Sequence, residues 1–348
     1  MNILIVKLSA IGDVVHTLPS LADLRKLYPL AHITWVVEEA SSDLLVGHPD
    51  LDRLLISKRK KWLRDLANPK HTGQALGEIL AFLKTLRDRP YDLAIDFHGL
   101  FKSGLLVLLS GARRKLGYDS MQELSGLFLN EKISEDMGKH AVDRYLDFLR
   151  HLGAKVGEPR FYIPVGEDNR SRVDALLETK GIGKDERFLA VSPLALWDTK
   201  LWEEEKFAKL CDRLIGELNL RVVLTGAQAD GILERIEKLM TRPIANLGGK
   251  TTLRDLAYLY GRASVMITTD SGPMHIAAAV GTPVIALFGP TSPSRTGPYG
   301  KGHTIVRKEL ECSPCFLKKC DMLTCMKEIT VGEVFEAVKN ALSGRAPE

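Results

Sequence analysis

Short runs of apolar, β-favouring residues recur along the chain and alternate with stretches of helical spacing, the pattern of βα units built around parallel sheets. In the first half, NILIVK (2–7), HITWVVE (32–38), RLLIS (53–57) and YDLAIDF (91–97) read as strands. Helical spacing fills the gaps, as at Leu76, Ile79, Leu80, Leu83 and Leu86, and another helix is expected over HAVDRYLDFLRHLG (140–153). A polar stretch, 157–185, with Pro159 and Pro164, interrupts the alternation and is read as the domain boundary. The pattern then restarts with FLAVSP (188–193), RVVLTG (221–226), IANLGG (244–249), VMITTD (265–270) and PVIALFGP (283–290). The expectation is an α/β protein of two Rossmann-like domains, 1–165 and 166–348. Their likeness is architectural, since no short-period repeat and no low-complexity tract is present.

Composition changes this picture little. With 348 residues, 45% hydrophobic and 26% charged, the chain has the apolar material for two medium cores. A formal charge of +4 argues against a polyelectrolyte binder, so any basic function is local. The apolar run 3–6 is too short for a secretory h-region, and no stretch of about 18 apolar residues occurs, so a cytoplasmic, non-spanning protein is expected. Five cysteines, four of them between Cys312 and Cys325, do not suggest a disulfide framework.

Two motifs fall where strands of an open parallel sheet give way to helices, the place where free N–H groups meet ligands. KLSAIGDVVHTLP (7–19) puts Asp13 in the first turn of the opening helix, with His16 one turn on. A carboxylate there is accounted for by helix capping, at about 0.5–1 kcal/mol, and equally by a general base with open access. TTDSGPMHIAAAVGTP (268–283) ends a strand at Asp270, offers Asp270 or Ser271 as a cap, and sets Pro273 in the first turn of a small-residue helix. Such a terminus suits an anion, and Gly272 allows close backbone approach.

Together ILIVKLSAIGDVVHTLPSLADLRKLYP, IDFHGLFKSGLL, HAVDRYLDFLRHLG, DTKLW and TTDSGPMHIAAAVGTPVIALFGPTSPSRTGPYG resemble the ADP-heptose:lipopolysaccharide heptosyltransferases, the first segment being most similar to the heptosyltransferase I branch. The resemblance spans nearly the whole chain in order. It implies a GT-B fold, two Rossmann-like domains facing across a cleft, with an N-terminal acceptor-binding and a C-terminal nucleotide-sugar-binding domain. The last helix is placed as one able to pack back on the N-terminal domain.

The implied activity is inverting, metal-independent transfer of heptose from ADP-heptose to the Kdo region of a lipopolysaccharide inner core, with no cofactor. Residue by residue, Asp13 matches the family's catalytic base and Lys200, in DTKLW, the lysine at the donor diphosphate. Asp270, Ser271, Gly272 and His275 match the D-[TS]-G-x-x-H segment at the heptose hydroxyls and diphosphate. Asp230 aligns with an acid at the nucleotide ribose, Thr251 with the adenine pocket, and Ser192 with a phosphate contact. SPLALWDTK departs from the usual Asn-Pro-Gly-Ala-Ser pattern, because Leu194 and Leu196 replace a glycine and a hydroxyl residue.

The basic segment KRKKWLR (58–64) reads either as a solvated loop or, through the resemblance, as part of an acceptor site for an anionic Kdo-lipid A. Lys58, Lys60, Lys61, Arg64 and Arg113 are the residues so assigned, and the enzyme is placed at the periphery of the inner membrane with no nucleic-acid partner. Cys312, Cys315, Cys320 and Cys325 have spacing compatible with a structural metal site or with free thiols. A heptosyltransferase II or another acceptor variant remains an alternative, as does a non-catalytic sugar-binding protein, which the pairing of Asp13 with Lys200 disfavours.

Overall fold

The computed structural model describes residues 1–119, 122–227 and 231–344. It divides into two compact units, Met1–Pro164 and Val165–Glu348. The first carries β1 (Asn2–Val6), β2 (His32–Glu38), β3 (Arg53–Ser57), β4 (Leu93–Asp96), β5 (Arg114–Tyr118) and β6 (Glu131–Ile133) in the order β3-β2-β1-β4-β5-β6. The second carries β7 (Phe188–Ser192), β8 (Arg221–Leu224), β9 (Ala245–Asn246), β10 (Val265–Thr269), β11 (Val284–Phe288) and β12 (Thr304–Arg307) in the order β12-β11-β10-β7-β8-β9. Every pairing is parallel. Strands such as NILIV and VIALF are buried on both faces, as helices covering both sides of a parallel sheet require.

In each sheet the chain winds outward one way, returns to the centre, and winds out the other way. The reversal lies between β1 and β4 in the first unit, where Val6 pairs with Asp96, and between β7 and β10 in the second, where Ser192 pairs with Thr268. Crevices at the carboxyl ends of strands flanking such a reversal are where open α/β sheets take ligands. The opening helix, Ile11–Leu27, follows β1 and packs beside the helix Ala141–His151, burying Val14, Leu18 and Leu21. The helix Gly272–Ala279 follows β10 in the same way.

The structure adds detail to two sequence expectations and corrects a third. The polar stretch 157–185, within which the two units divide, also contains the helix Glu167–Glu178, whose Val173 and Leu177 are buried. The last helix, Val331–Leu342, buries Val334, Phe335 and Val338 in the second unit's own core, beside Phe207 and Leu214. The segment 58–64 is helical rather than a loop, within Arg59–Leu66.

Candidate active site

At the β1/β4 reversal the first residue beyond β1 is Lys7, a lysine with 3% of its surface exposed. Its ammonium donates to the Phe97 carbonyl at 2.9 Å and to the Tyr145 hydroxyl at 2.6 Å, and stands over the Tyr145 ring. Tyr145 in turn donates to Asp13 Oδ1 at 3.1 Å, while Lys7 Nζ lies 3.7 Å from the same oxygen. Asp13 Oδ2 accepts the Ala10 N–H at 3.1 Å, so the carboxylate does serve the start of its helix. It nevertheless remains 39% exposed above a sealed lysine and tyrosine, which a cap alone does not need.

The electrostatics follow from this stacking. Burial pushes the Asp13 carboxyl pKa up, but the Lys7 charge, the Ala10 N–H and the Tyr145 hydroxyl outweigh it and hold it below its ordinary value. Burial pulls the Lys7 ammonium down against the opposing pull of Asp13 and Asp96. Burial and the Asp13 charge keep the Tyr145 phenol well above its usual range, so it stays a donor. His98, just past β4, is pushed down to about 3 by burial and by the Lys7 and Lys102 charges, and is therefore neutral near pH 7. Asp96 is wholly buried and accepts the His98 and Gly99 N–H groups and the Ser103 hydroxyl, which shapes the turn carrying His98.

Tyr145 provides a direct check of this arrangement. Tyr145→Phe removes a donor that favours the anionic form of Asp13, so the acid limb of the kcat/KM profile should move to higher pH. A Tyr145 that only fills space would leave that limb in place while lowering stability.

At the β7/β10 reversal the chain leaves β7 and returns in a short 3₁₀ turn, Asp198–Lys200. Lys200 Nζ reaches Asp270 Oδ2 at 2.6 Å, and the two side chains are 15% and 6% exposed. Thr291 donates to the same Asp270 oxygen at 2.6 Å, and Lys200 stands 4.5 Å from the Trp197 ring centroid. Thr199 fixes the turn by donating to the Leu317 carbonyl, and Thr269 donates to the Leu194 carbonyl, so Leu194 serves through its backbone. Ser271 stands at the N-cap position of the helix Gly272–Ala279 without a side-chain cap bond, and Pro273 lies in the first turn; Ser271 and Gly272 are half-exposed and His275 is buried. A helix N-terminus beside a lysine is an anion site, and here the lysine charge is already balanced by Asp270.

The fold assembles some of the sequence-assigned residues and scatters others. Lys200, Asp270, Ser271, Gly272 and His275 come together. Ser192 is fully buried, its hydroxyl beside that of Tyr260, and supports the strand end from within. Thr251 is half-exposed, just before the capped start of the helix Leu253–Arg262. Asp230 lies outside the described residues. In the first unit Lys58 and Lys60 line a small recess with Glu38, Glu39 and Ser57 at the carboxyl edge of the sheet. Arg64 is exposed, whereas Lys61 is held by Glu78 and Asp65.

Arg113 is a correction. It directly precedes β5, whose Arg114 pairs with Leu93 at the start of β4. Parallel strands put that position at the amino edge, about one strand length from Asp13. The cysteines fit the second of their two readings, free thiols. Cys312 and Cys320 are exposed, Cys315 and Cys325 half-buried, and among the described residues no group of three or more His, Cys, Asp or Glu is arranged to hold a metal. His16, read as sharing the Asp13 face, is buried with its ring 5.1 Å from that of His140. Tyr145 and the burial of Lys7 were missed, although both lie in motifs quoted for the family.

Comparison with known proteins agrees with this architecture. Residues 79–326 match the model of glycosyltransferase family 9 (heptosyltransferase). The chain is 29% identical over 328 residues to lipopolysaccharide heptosyltransferase 1 of Pseudomonas aeruginosa, covering 92% of this chain and 87% of the relative. It is 31% identical over 286 residues to lipopolysaccharide heptosyltransferase 3 of Escherichia coli, covering 80% of each. Among solved structures, E. coli heptosyltransferase WaaC with ADP superposes with a TM-score of 0.77 at 25% identity, over 98% of this chain and 100% of that one. The fold class is therefore the GT-B α/β architecture of these heptosyltransferases.

Proposed function

This chain belongs to glycosyltransferase family 9, and from that premise we propose that it transfers heptose from ADP-heptose to the Kdo region of a lipopolysaccharide inner-core acceptor, as a heptosyltransferase I. The observation that carries the reading is Asp13, an exposed carboxylate kept anionic by a buried lysine and tyrosine at a sheet reversal. Asp13 takes the proton from an acceptor hydroxyl as that oxygen attacks the anomeric carbon of the heptose. The bond from that carbon to the diphosphate oxygen breaks on the opposite face, so configuration inverts and ADP departs as an anion.

In the second unit Lys200 and the N–H groups at the start of Gly272–Ala279 stabilise the charge growing on the diphosphate. Asp270 is then available to the heptose hydroxyls. With these groups supplying the positive potential, neither a metal nor a cofactor is required, and turnover should persist in EDTA. Lys58, Lys60 and Arg64 give the acceptor side a positive field suited to Kdo carboxylates and lipid A phosphates. Such an acceptor is anchored in a bilayer, which places the enzyme at the cytoplasmic face of the inner membrane.

The relatives above include heptosyltransferases 1 and 3, so the acceptor is the point to test. ADP release should be measured with ADP-heptose against Kdo2-lipid A and against heptosylated Kdo2-lipid A. Turnover on the first alone supports heptosyltransferase I. Turnover on the second alone assigns a later step, and release with neither acceptor refutes the reading.

A further inference from the structure

The crossover from β3 to β4 is a helical hairpin made of a basic helix, Arg59–Leu66, and a leucine helix, Thr72–Leu86. Residues 58–86 carry seven basic side chains and two acidic ones. Both acids are consumed inside the hairpin. Glu78 accepts Lys61 Nζ at 2.8 and 2.9 Å, Trp62 Nε1 at 2.9 Å and Gln74 Nε2 at 2.9 Å, and Lys61 also lies 3.1 Å from Asp65. The inward face of the basic helix is thus Lys61, Trp62 and Asp65, with the Trp62 ring against Phe82.

The other face of each helix is unusual. On the basic helix Lys60, Leu63, Arg64 and the following Ala67 are all exposed. On the leucine helix the exposed residues Gly73, Leu76, Gly77, Leu80, Ala81 and Lys84 recur at helical spacing. Leu63, Leu76 and Leu80 are 55%, 49% and 66% exposed. One exposed leucine is ordinary, but a stripe with no charge before Lys84 is not how a water-facing helix is built. The apolar pattern that reads in sequence as a core-facing helix therefore leaves two of its leucines outside.

We propose that this hairpin is the face by which the protein docks on an anionic phospholipid bilayer. Leu63, Leu76 and Leu80 enter the boundary between headgroups and acyl chains, while Lys60, Arg64 and Lys84 meet lipid phosphates. Glu78 and Asp65 lie on the inner face, where Lys61 bridges them and Arg64 Nε reaches Asp65 at 3.4 Å, so the exposed charge left facing the lipid is cationic. A second copy of the chain fits less well, since a two-fold contact through this face would press the same cationic patch of both copies together. The hairpin starts at the carboxyl edge that carries Asp13, tied there by Arg59 to Glu38 at 3.0 Å, with Lys102 3.7 Å from the same Glu38 oxygen. Docking therefore brings the acceptor side to the lipid surface. Only that last consequence rests on the proposed function.

The test is sedimentation of the purified full chain with phosphatidylcholine vesicles made with and without phosphatidylglycerol. The wild type should partition onto the anionic vesicles, and added salt should weaken it. Leu76→Gln/Leu80→Gln should lower partition about tenfold, with ADP binding and unfolding midpoint unchanged, because both side chains already face water. Lys84→Gln should lower it by a smaller factor and flatten the salt dependence. No partition of the wild type, or equal partition of the leucine variant, overturns the proposal. So does a wild-type dimer in light scattering that the leucine variant converts to monomer, which would make the face a contact between copies. Vesicle binding needs no donor or acceptor, so a failed transfer assay leaves this result standing.

Discussion

Asp13→Ala is expected to lower kcat by about a hundredfold or more, the range lost with a general base, while ADP affinity stays at the wild-type level. The expectation rests on a carboxylate that stays 39% exposed while the Ala10 N–H, Tyr145 and Lys7 hold both of its oxygens in place. The same carboxylate serves its helix, so the substitution also costs stability, of order 0.5–1 kcal/mol for a first-turn acid. Removing Asp13 further takes from buried Lys7 the largest of its carboxylate countercharges, with Asp96 the next, and a drop in unfolding midpoint larger than the cap accounts for is expected. Calorimetry with ADP and a thermal scan separate these effects from chemistry. Near-wild-type turnover in a folded variant would reduce Asp13 to a helix cap.

The second large effect is a contrast between two partners. Lys200→Ala should weaken ADP binding tenfold or more and cut turnover, because the ammonium faces the diphosphate in the ground state as in the transition state. Asp270→Asn should abolish most turnover and yet leave ADP binding intact or tighter. The sign comes from the 2.6 Å ion pair: a diphosphate must compete with Asp270 for Lys200, and a neutral side chain competes less. Titration calorimetry with ADP alone decides it. Equal losses of affinity in both variants would show that Asp270 holds the lysine in place rather than contending for it.

Much of the architecture was legible because strands buried on both faces are continuous apolar runs. NILIV, HITWVVE and VIALF declare themselves. RKLGY, EKI and TIVR do not, since these short strands are at or near sheet edges and mix charges with apolar residues. The helix Arg59–Leu66 was hidden for a related reason, since only Trp62 of its eight residues is buried. Asp13, Lys200 and Asp270 could be picked out by position and resemblance. Their partners could not. Tyr145 reaches Asp13 across 132 residues of sequence, and the Lys200–Asp270 pair spans 70, distances at which no local pattern reports contact. Arg113 failed for want of topology, because its charge was visible but the edge of the sheet it occupies depends on the direction of β5.

The division of the chain at Pro164–Val165 has a consequence for inheritance. Lys7, Asp13, His98 and Tyr145 all precede that bond, and Lys200, Asp270, Ser271 and Thr291 all follow it, so each constellation is encoded by one uninterrupted stretch of gene. A recombination crossover near codon 164 would exchange one constellation whole and leave the other unaltered. Either unit can in this way diversify by inheritance while its neighbour keeps every side-chain contact that defines its own site.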